Sequence, residues 1–270
     1  MAILQQQNPE LLALLAATFQ RRNEPQFALA NAISTYLSLP GLVGFWPMSS
    51  IDSANNGDVF DLSGNGRTLS NTNTVTADYD GITPYTQYTS GSANRLVRAD
   101  EAGLDILGTE VYIGTKGLTV GGWFYFDLVP AIAEAMISKY DANADQRSWF
   151  LQRISTGFPQ FTVSSDGTNA NRWHAISTEI TLQNSWSYVV GRYTPSSELA
   201  IFVNGTKDIN TTTIPAAIFN STAQLAFSGL NTATQALYSG RTSMAFLCAS
   251  ALSDTIIQST YQQTRGLFGN

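Results

Sequence analysis

The stretch Asp166-Gly-Thr-Asn-Ala-Asn-Arg-Trp-His174 gathers the side chains best suited to holding a polar ligand. Sugars are gripped by aromatic ring faces together with planar amide and carboxylate groups. Trp173, Asn169, Asn171 and Asp166 are of those types, and His174 adds a donor. The same residues also suit a hairpin, because Asp-Gly is a common turn pair and Trp173 can continue a strand into a core. A second candidate is Asp141-Ala-Asn-Ala-Asp145. Oxygen ligands at alternate positions, here Asp141, Asn143 and Asp145, are what a hard cation such as Ca2+ requires. Gln146 stands where a helix-loop-helix calcium loop needs glycine, and Gln152 where it needs its closing glutamate, so that motif fails. A solvated turn accounts for the same residues. The one cysteine, Cys248, lies in the apolar run Met244-Ala-Phe-Leu-Cys248 and reads as a small buried hydrophobe. A nucleophilic thiol would need a basic neighbour, and nothing local supplies one. No phosphate loop or zinc spacing is present. The triplets beginning at Asn204, Asn210 and Asn220 match the glycosylation pattern but read as by-products of a Thr-rich composition.

Short strands must position these groups. In Trp186 to Thr206, Tyr188, Val190 and Arg192 alternate with Ser187, Val189 and Gly191. Pro195, Ser196 and Ser197 make a turn, then Leu199, Ile201 and Val203 alternate with Ala200 and Phe202 before Asn204-Gly205. Both strands are apolar on both faces, which places them inside a layered packing. Further strands are expected over Gly41–Met48, Tyr85–Thr89, Arg95–Arg98, Gly117–Phe126, Ala133–Tyr140, Ser148–Ile154, Phe158–Ser164, Asn171–Ser177, Gln224–Ser228 and Ala236–Ala249. Asp61-Leu-Ser-Gly-Asn-Gly66 is a tight turn in which Asp61 can bond the backbone ahead of it. Ahead of Gly41 two helices are expected. Asn8-Pro9-Glu10 starts the first and Arg21-Arg22-Asn23 ends it. Glu24-Pro25 starts the second and Leu39-Pro40-Gly41 ends it. A terminal helix to about Thr264 is capped by Ser253 or Asp254.

A Trp, a strand of the form x-Tyr-Val-Val, a polar turn and a strand ending Val-Asn-Gly resemble the paired central strands of laminin G-like domains. These belong to the concanavalin A-like lectin/glucanase group. Gly41-Leu-Val-Gly-Phe-Trp-Pro47, Asp61 to Gly66, Gly117 to Phe124, Trp149-Phe-Leu-Gln152 and the stretch from Tyr238 to Ala251 match in the expected order. The resemblance covers roughly residues 41–270. It implies an all-β, two-sheet antiparallel jelly-roll sandwich, here with an N-terminal helical hairpin and a short C-terminal helix. Residues 1–40 form a helical arm for assembly or docking, and residues 41–270 the sandwich. The resemblance also implies that one Ca2+ can sit at a loop rim. Glycanase relatives place catalytic carboxylates on one strand in a Glu-x-Asp-x-(x)-Glu pattern. None of Glu10, Glu24, Glu101, Glu110, Glu134, Glu179 and Glu198 stands in it, so no catalytic residue is assigned.

Composition bounds the task. Charged residues are 13% of the chain, against about 25% in ordinary soluble proteins, so Ser, Thr, Asn and Gln must make the surface. A net charge of −6 without a Lys/Arg cluster excludes the electrostatic footprint of a nucleic-acid binder. No apolar run is long enough to span a bilayer, and no secretory signal is visible. These features together lead to the expectation of a non-enzymatic virion protein, a bacteriophage decoration, tail or adhesion component. Its lectin-like head would face cell-surface glycan, and residues 1–40 would hold it to sister copies or other virion proteins. The alternative is a carbohydrate-binding module of a secreted or surface bacterial protein; a degenerate glycoside hydrolase comes third.

Overall fold

The computed structural model describes residues 24–48, 51–52, 57–111, 115–129, 131–230 and 236–270. A helix α1 (Glu24–Leu37) precedes the strands β1 (Leu42–Trp46), β2 (Ile51–Asp52), β3 (Asp58–Val59), β4 (Ser70–Thr72), β5 (Thr76–Asp80), β6 (Thr83–Tyr88), β7 (Arg95–Arg98) and β8 (Leu118–Phe126). There follow β9 (Glu134–Asp141), β10 (Gln146–Arg153), β11 (Pro159–Gly167), β12 (Arg172–Ile176), β13 (Trp186–Thr194), β14 (Glu198–Val203), β15 (Thr206–Asn210), β16 (Leu225–Phe227), β17 (Gly240–Cys248) and helix α2 (Asp254–Thr264). One sheet has eight strands in the order β15-β14-β13-β8-β17-β6-β5, with β1 also on β17. The other has seven, in the order β12-β11-β10-β9-β16-β7-β4, and β2 pairs with β3 as a ribbon. Neighbouring strands in both sheets run antiparallel.

The two sheets face each other over one apolar core. Leu118, Val120, Phe124 and Phe126 of β8 meet Trp149, Leu151, Phe161 and Val163 of the opposite sheet there. Period-two alternation sends the intervening residues of the eight-stranded sheet outward. Those residues are Trp123, Tyr188, Val190, Ala200, Phe202, Phe246 and Cys248, and they form a second apolar cluster. The two apolar faces expected of the central hairpin are therefore met by different partners, a sheet on one side and helices on the other. Tyr36 of α1 stacks on Phe45 with ring centroids 4.9 Å apart. Trp123 stacks on Phe268, beyond α2, at 4.2 Å, and its Nε1 donates to Thr264 Oγ1 at 3.1 Å.

Polar groups fix the joints. Asp61 Oδ1 accepts from the backbone N–H of Phe45 and Ser63, and its Oδ2 from that of Arg67, which holds the expected tight turn against β1. Ser253 caps α2 by accepting from the Ile256 N–H at 3.3 Å. Arg192, buried on the outer face of β13, donates to the Leu252 carbonyl at 2.6 Å and to Asp254 at 2.6 Å, pinning the start of α2 to the sheet.

Among the described residues a single helix, α1, and no hairpin precedes the sandwich. The first helix of the expected arm 1–40, from Asn8 to Asn23, lies outside the described residues. Five strands among the described residues were not expected from the sequence: the ribbon pair β2 and β3, and β4, β5 and β15, which are polar and lie at sheet edges.

Gly191 is where the layers approach most tightly. A Cβ there would lie 2.4 Å from the Phe161 ring of the opposite sheet. Gly191→Ala should therefore destabilise the protein by about 1–3 kcal/mol through overpacking, read as a lower urea midpoint. An unchanged midpoint would mean the sheets are further apart than described.

Candidate functional site

The residues of the 166–174 stretch are joined to others by the register of three strands. Across β10, β11 and β12, Trp149, Val163 and Trp173 form one cross-strand row, and Leu151, Phe161 and Ala175 another. Both rows point into the core, where Trp173 packs as a partly buried member. The rows between them point outward by the pleat. Phe150, Thr162 and His174 form one, Gln152, Gln160 and Ile176 a second, and Ser164 faces Arg172 in a third. These positions carry amides, hydroxyls, an imidazole, a guanidinium, an aromatic ring and an isoleucine; Phe150, Gln160, Thr162 and Ser164 among them are buried, and Asp166 follows on the same side at the exposed end of β11.

Hydrogen bonds tie this face together. The Thr162 hydroxyl lies 2.8 Å from His174 Nδ1. Gln152 and Gln160 pair through their side-chain amides. Arg172 donates from Nη1 to the Tyr140 hydroxyl at 3.1 Å and from Nε to the Asn169 carbonyl at 3.1 Å. Tyr140 in turn meets Phe150 edge to face, with centroids 4.6 Å apart. Asn210 of β15 donates to the His174 carbonyl at 2.9 Å, closing the edge between the two sheets.

The pleat divides the predicted ligand set. His174 stands on the outward face, whereas Trp173 turns inward and anchors β12. Asp166 and Asn171 are spent on each other: Asn171 Nδ2 donates to Asp166 Oδ2 at 2.5 Å. Asp166 Oδ1 accepts from the Thr168 N–H and hydroxyl, both at 2.9 Å. Those bonds, the one from Asn171 foremost, hold the Asp166 carboxyl below the usual range. Asn169 is exposed, and its carbonyl orients Arg172. Gln152, Gln160, Thr162 and Tyr140 were missed in the sequence because they lie in other strands, whereas Arg172 lies within the run itself and was not singled out. Their only signal is strand alternation combined with register.

In the Asp141, Asn143 and Asp145 turn, Arg147 forms an ion pair with Asp145 and also donates to the carbonyls of Ala142 and Gly167. Asp141 Oδ1 accepts from the Asn143 N–H at 3.0 Å. One of the three expected ligands, Asp145, is thus already engaged by a guanidinium. Among the described residues no group of three His, Cys, Asp or Glu side chains could hold a metal.

A further carboxylate faces a cavity of about 340 Å³ at one end of the sandwich, lined by Ser90, Leu128, Val129, Ile132, Glu134 and Leu237 among others. Burial pushes the Glu134 carboxyl up, and Arg153 opposes that shift. Glu134 Oε2 accepts from Arg153 Nη2 at 2.7 Å and Nε at 3.1 Å, and Oε1 accepts from the Ser239 N–H at 3.3 Å. Both oxygens are engaged, and the Arg153 guanidinium lies 4.0 Å from the Phe126 ring centroid. Elsewhere, burial drives the Cys248 thiol far above its usual range, which leaves it unreactive.

Burial, helped by the charge of Arg172, pushes the His174 imidazole below its ordinary value. The unfolded chain therefore takes up this proton first, near pH 6.5, and stability falls as pH drops through that value until the folded imidazole is protonated too. His174→Gln should flatten this part of the stability profile in urea titrations between about pH 7.5 and 5; parallel profiles would contradict the assignment. Melting temperatures in EDTA and in millimolar calcium should coincide, and a rise with calcium would show that Arg147 yields to the ion.

The model of the concanavalin A-like lectin/glucanases superfamily, in its Laminin_G_3 form, matches residues 101–258. No curated protein matches the chain in sequence. Among solved structures, the binding domain of Paraclostridial Mosquitocidal Protein 1 superposes with a TM-score of 0.62 at 13% identity, over 82% of this chain and 52% of that one. The binding domain of botulinum neurotoxin DC in complex with rat synaptotagmin II gives 0.63 at 11% identity, over 85% and 52%. The same toxin's binding domain in complex with SialylT gives 0.59 at 11% identity, over 85% and 52%. The chain thus spans about half the length of each of these structures, and at these identities the likeness is one of fold. With more than half of its residues matched by the family model, the chain belongs to the concanavalin A-like lectin/glucanases superfamily.

Proposed function

We propose that this chain is a carbohydrate-binding module of a secreted or surface protein, and that it binds glycan on the outward face of β10, β11 and β12 without cleaving it. The observation that carries this reading is the chemistry of that face. Half-buried Gln152, Arg172 and His174 reach the surface there, and the buried side chains of Phe150, Tyr140, Thr162 and Gln160 hold them in place. Planar donors and acceptors held rigidly are what a sugar's hydroxyls require.

Hydrolysis with retention needs two carboxylates about 5–5.5 Å apart. Gln152, Gln160, Thr162 and His174 occupy the strand positions from which such a pair would reach a ligand. Glu134, the carboxylate with a raised pKa, is held by Arg153 inside the sandwich end. Both points support binding without catalysis.

The structural likeness to toxin binding domains, one of them complexed with SialylT and another with a protein receptor, supports a recognition role. It favours the secreted or surface setting over the virion setting suggested by composition. No observation on the folded chain favours a particle.

The test is glycan-array binding by the purified full chain, followed by calorimetry on the best ligand. Gln152→Ala should weaken binding about tenfold, the loss of one or two hydrogen bonds, with the melting temperature nearly unchanged. A polysaccharide panel should release no reducing ends. Retention of no glycan by the folded protein would overturn the reading, and product release would overturn its non-catalytic part.

A further inference from the structure

Resting on that reading, we infer that the glycan carries an acidic group, a carboxylate or a sulfate, and that Arg172 receives it. The chain has a net charge of −6, yet Asp166 is the one carboxylate at the outward positions of β10, β11 and β12 among the described residues. The basic groups on that face are Arg147, which pairs with Asp145, and Arg172 and His174. Asp166, at the end of β11, is exposed but directs its oxygens to Thr168 and Asn171.

Arg172 differs from most arginines of the fold. Arg67, Arg98, Arg147, Arg153, Arg192 and Arg241 each face a carboxylate within ion-pair distance. No carboxylate pairs with Arg172 among the described residues. Its guanidinium is nonetheless fixed at two points, Nη1 on the Tyr140 hydroxyl and Nε on the Asn169 carbonyl. The second terminal nitrogen, Nη2, has no acceptor among the described residues. A planar cation oriented at two points, with donors to spare and no counter-ion, is preorganised for an oxyanion. The hydroxyls, amides and aromatic edges around it suit the rest of a saccharide better than they suit a bare anion.

The experiment is an array that prints sialylated, uronate-bearing and sulfated glycans beside the same cores without their acidic groups, probed with the full chain. Acidic glycans should be retained and their neutral cores not, with the arms separating carboxylate from sulfate. Arg172→Gln should weaken retention by about ten- to a hundredfold, the range for a hydrogen bond to a charged group. Arg172→Lys keeps the charge and loses the fork, so its loss should be smaller. Binding should also fall as salt rises from about 0.05 to 0.5 M. Circular dichroism melting of both variants checks that they fold; if Arg172→Gln does not, the Arg172→Lys and salt series decide. Equal retention of acidic and neutral forms, or indifference to salt and to the variants, would overturn the acidic ligand and leave glycan binding standing. Failure to retain any glycan would remove both.

Discussion

The eight-stranded sheet is apolar on both faces, and the rest of the molecule is arranged to cover it. One face meets the seven-stranded sheet. The other, carrying Trp123, Tyr188, Val190, Phe202 and Phe246, is buried under α1, α2 and the C-terminal residues around Phe268. Each large side chain taken out of water there contributes about 1.5–3 kcal/mol, so helices of this length, marginal alone, are held by the sheet they cover. The consequence for function is exclusion. With that face occupied by the chain's own helices, the surfaces open to a partner are the outward face of the other sheet and the loops at the two ends.

The two sheets therefore divide the work through one geometric rule. A strand's side chains alternate in direction, so inward residues can be fixed for packing while outward residues answer to something else. In β11, Phe161 and Val163 belong to the core between the sheets, whereas Gln160, Thr162 and Ser164 are polar and buried on the other face. The tight approach of Gly191 to Phe161 sets a condition on the inward set, where even one added methyl group must displace a neighbour.

The same rule governs how much could be read from the chain. Strands with apolar alternation, such as β8, β13 and β14, announce themselves, as does the Ser253 cap of α2. β4, β5 and β15 do not: Ser70-Asn71-Thr72, Thr76 to Asp80 and Thr206 to Asn210 are polar strands at or near sheet edges, with no buried face to impose a period. The candidate site was half legible. A run such as Asp166 to His174 shows which residues are neighbours along the chain, and the pleat then separates Trp173 from His174. Partners that lie across strands, such as Phe150 and Thr162 beside His174, follow only from register. Local sequence cannot supply register when turn lengths and bulges, such as the shift between Arg147 and Trp149, decide it.

Charge completes the picture. Few residues are charged, and many of those are used internally. Lys139 is buried among Asp100, Asp105 and the Ala223 carbonyl. Arg153 lies against Glu134, and Arg192 joins Glu198 and Asp254. Desolvation offsets much of the Coulombic gain in such pairs, so their value lies in position more than in net stability. Lys139 ties the loops on either side of it to β9, Arg153 locks the end of β10, and Arg192 sets the angle of α2. With its charges so committed, the sandwich is left with a surface of amides and hydroxyls. Against that background the Arg172 guanidinium, without a carboxylate partner among the described residues and fixed at two points, is a local departure. It stands on the outward face that the chain's own helices leave to the opposite sheet.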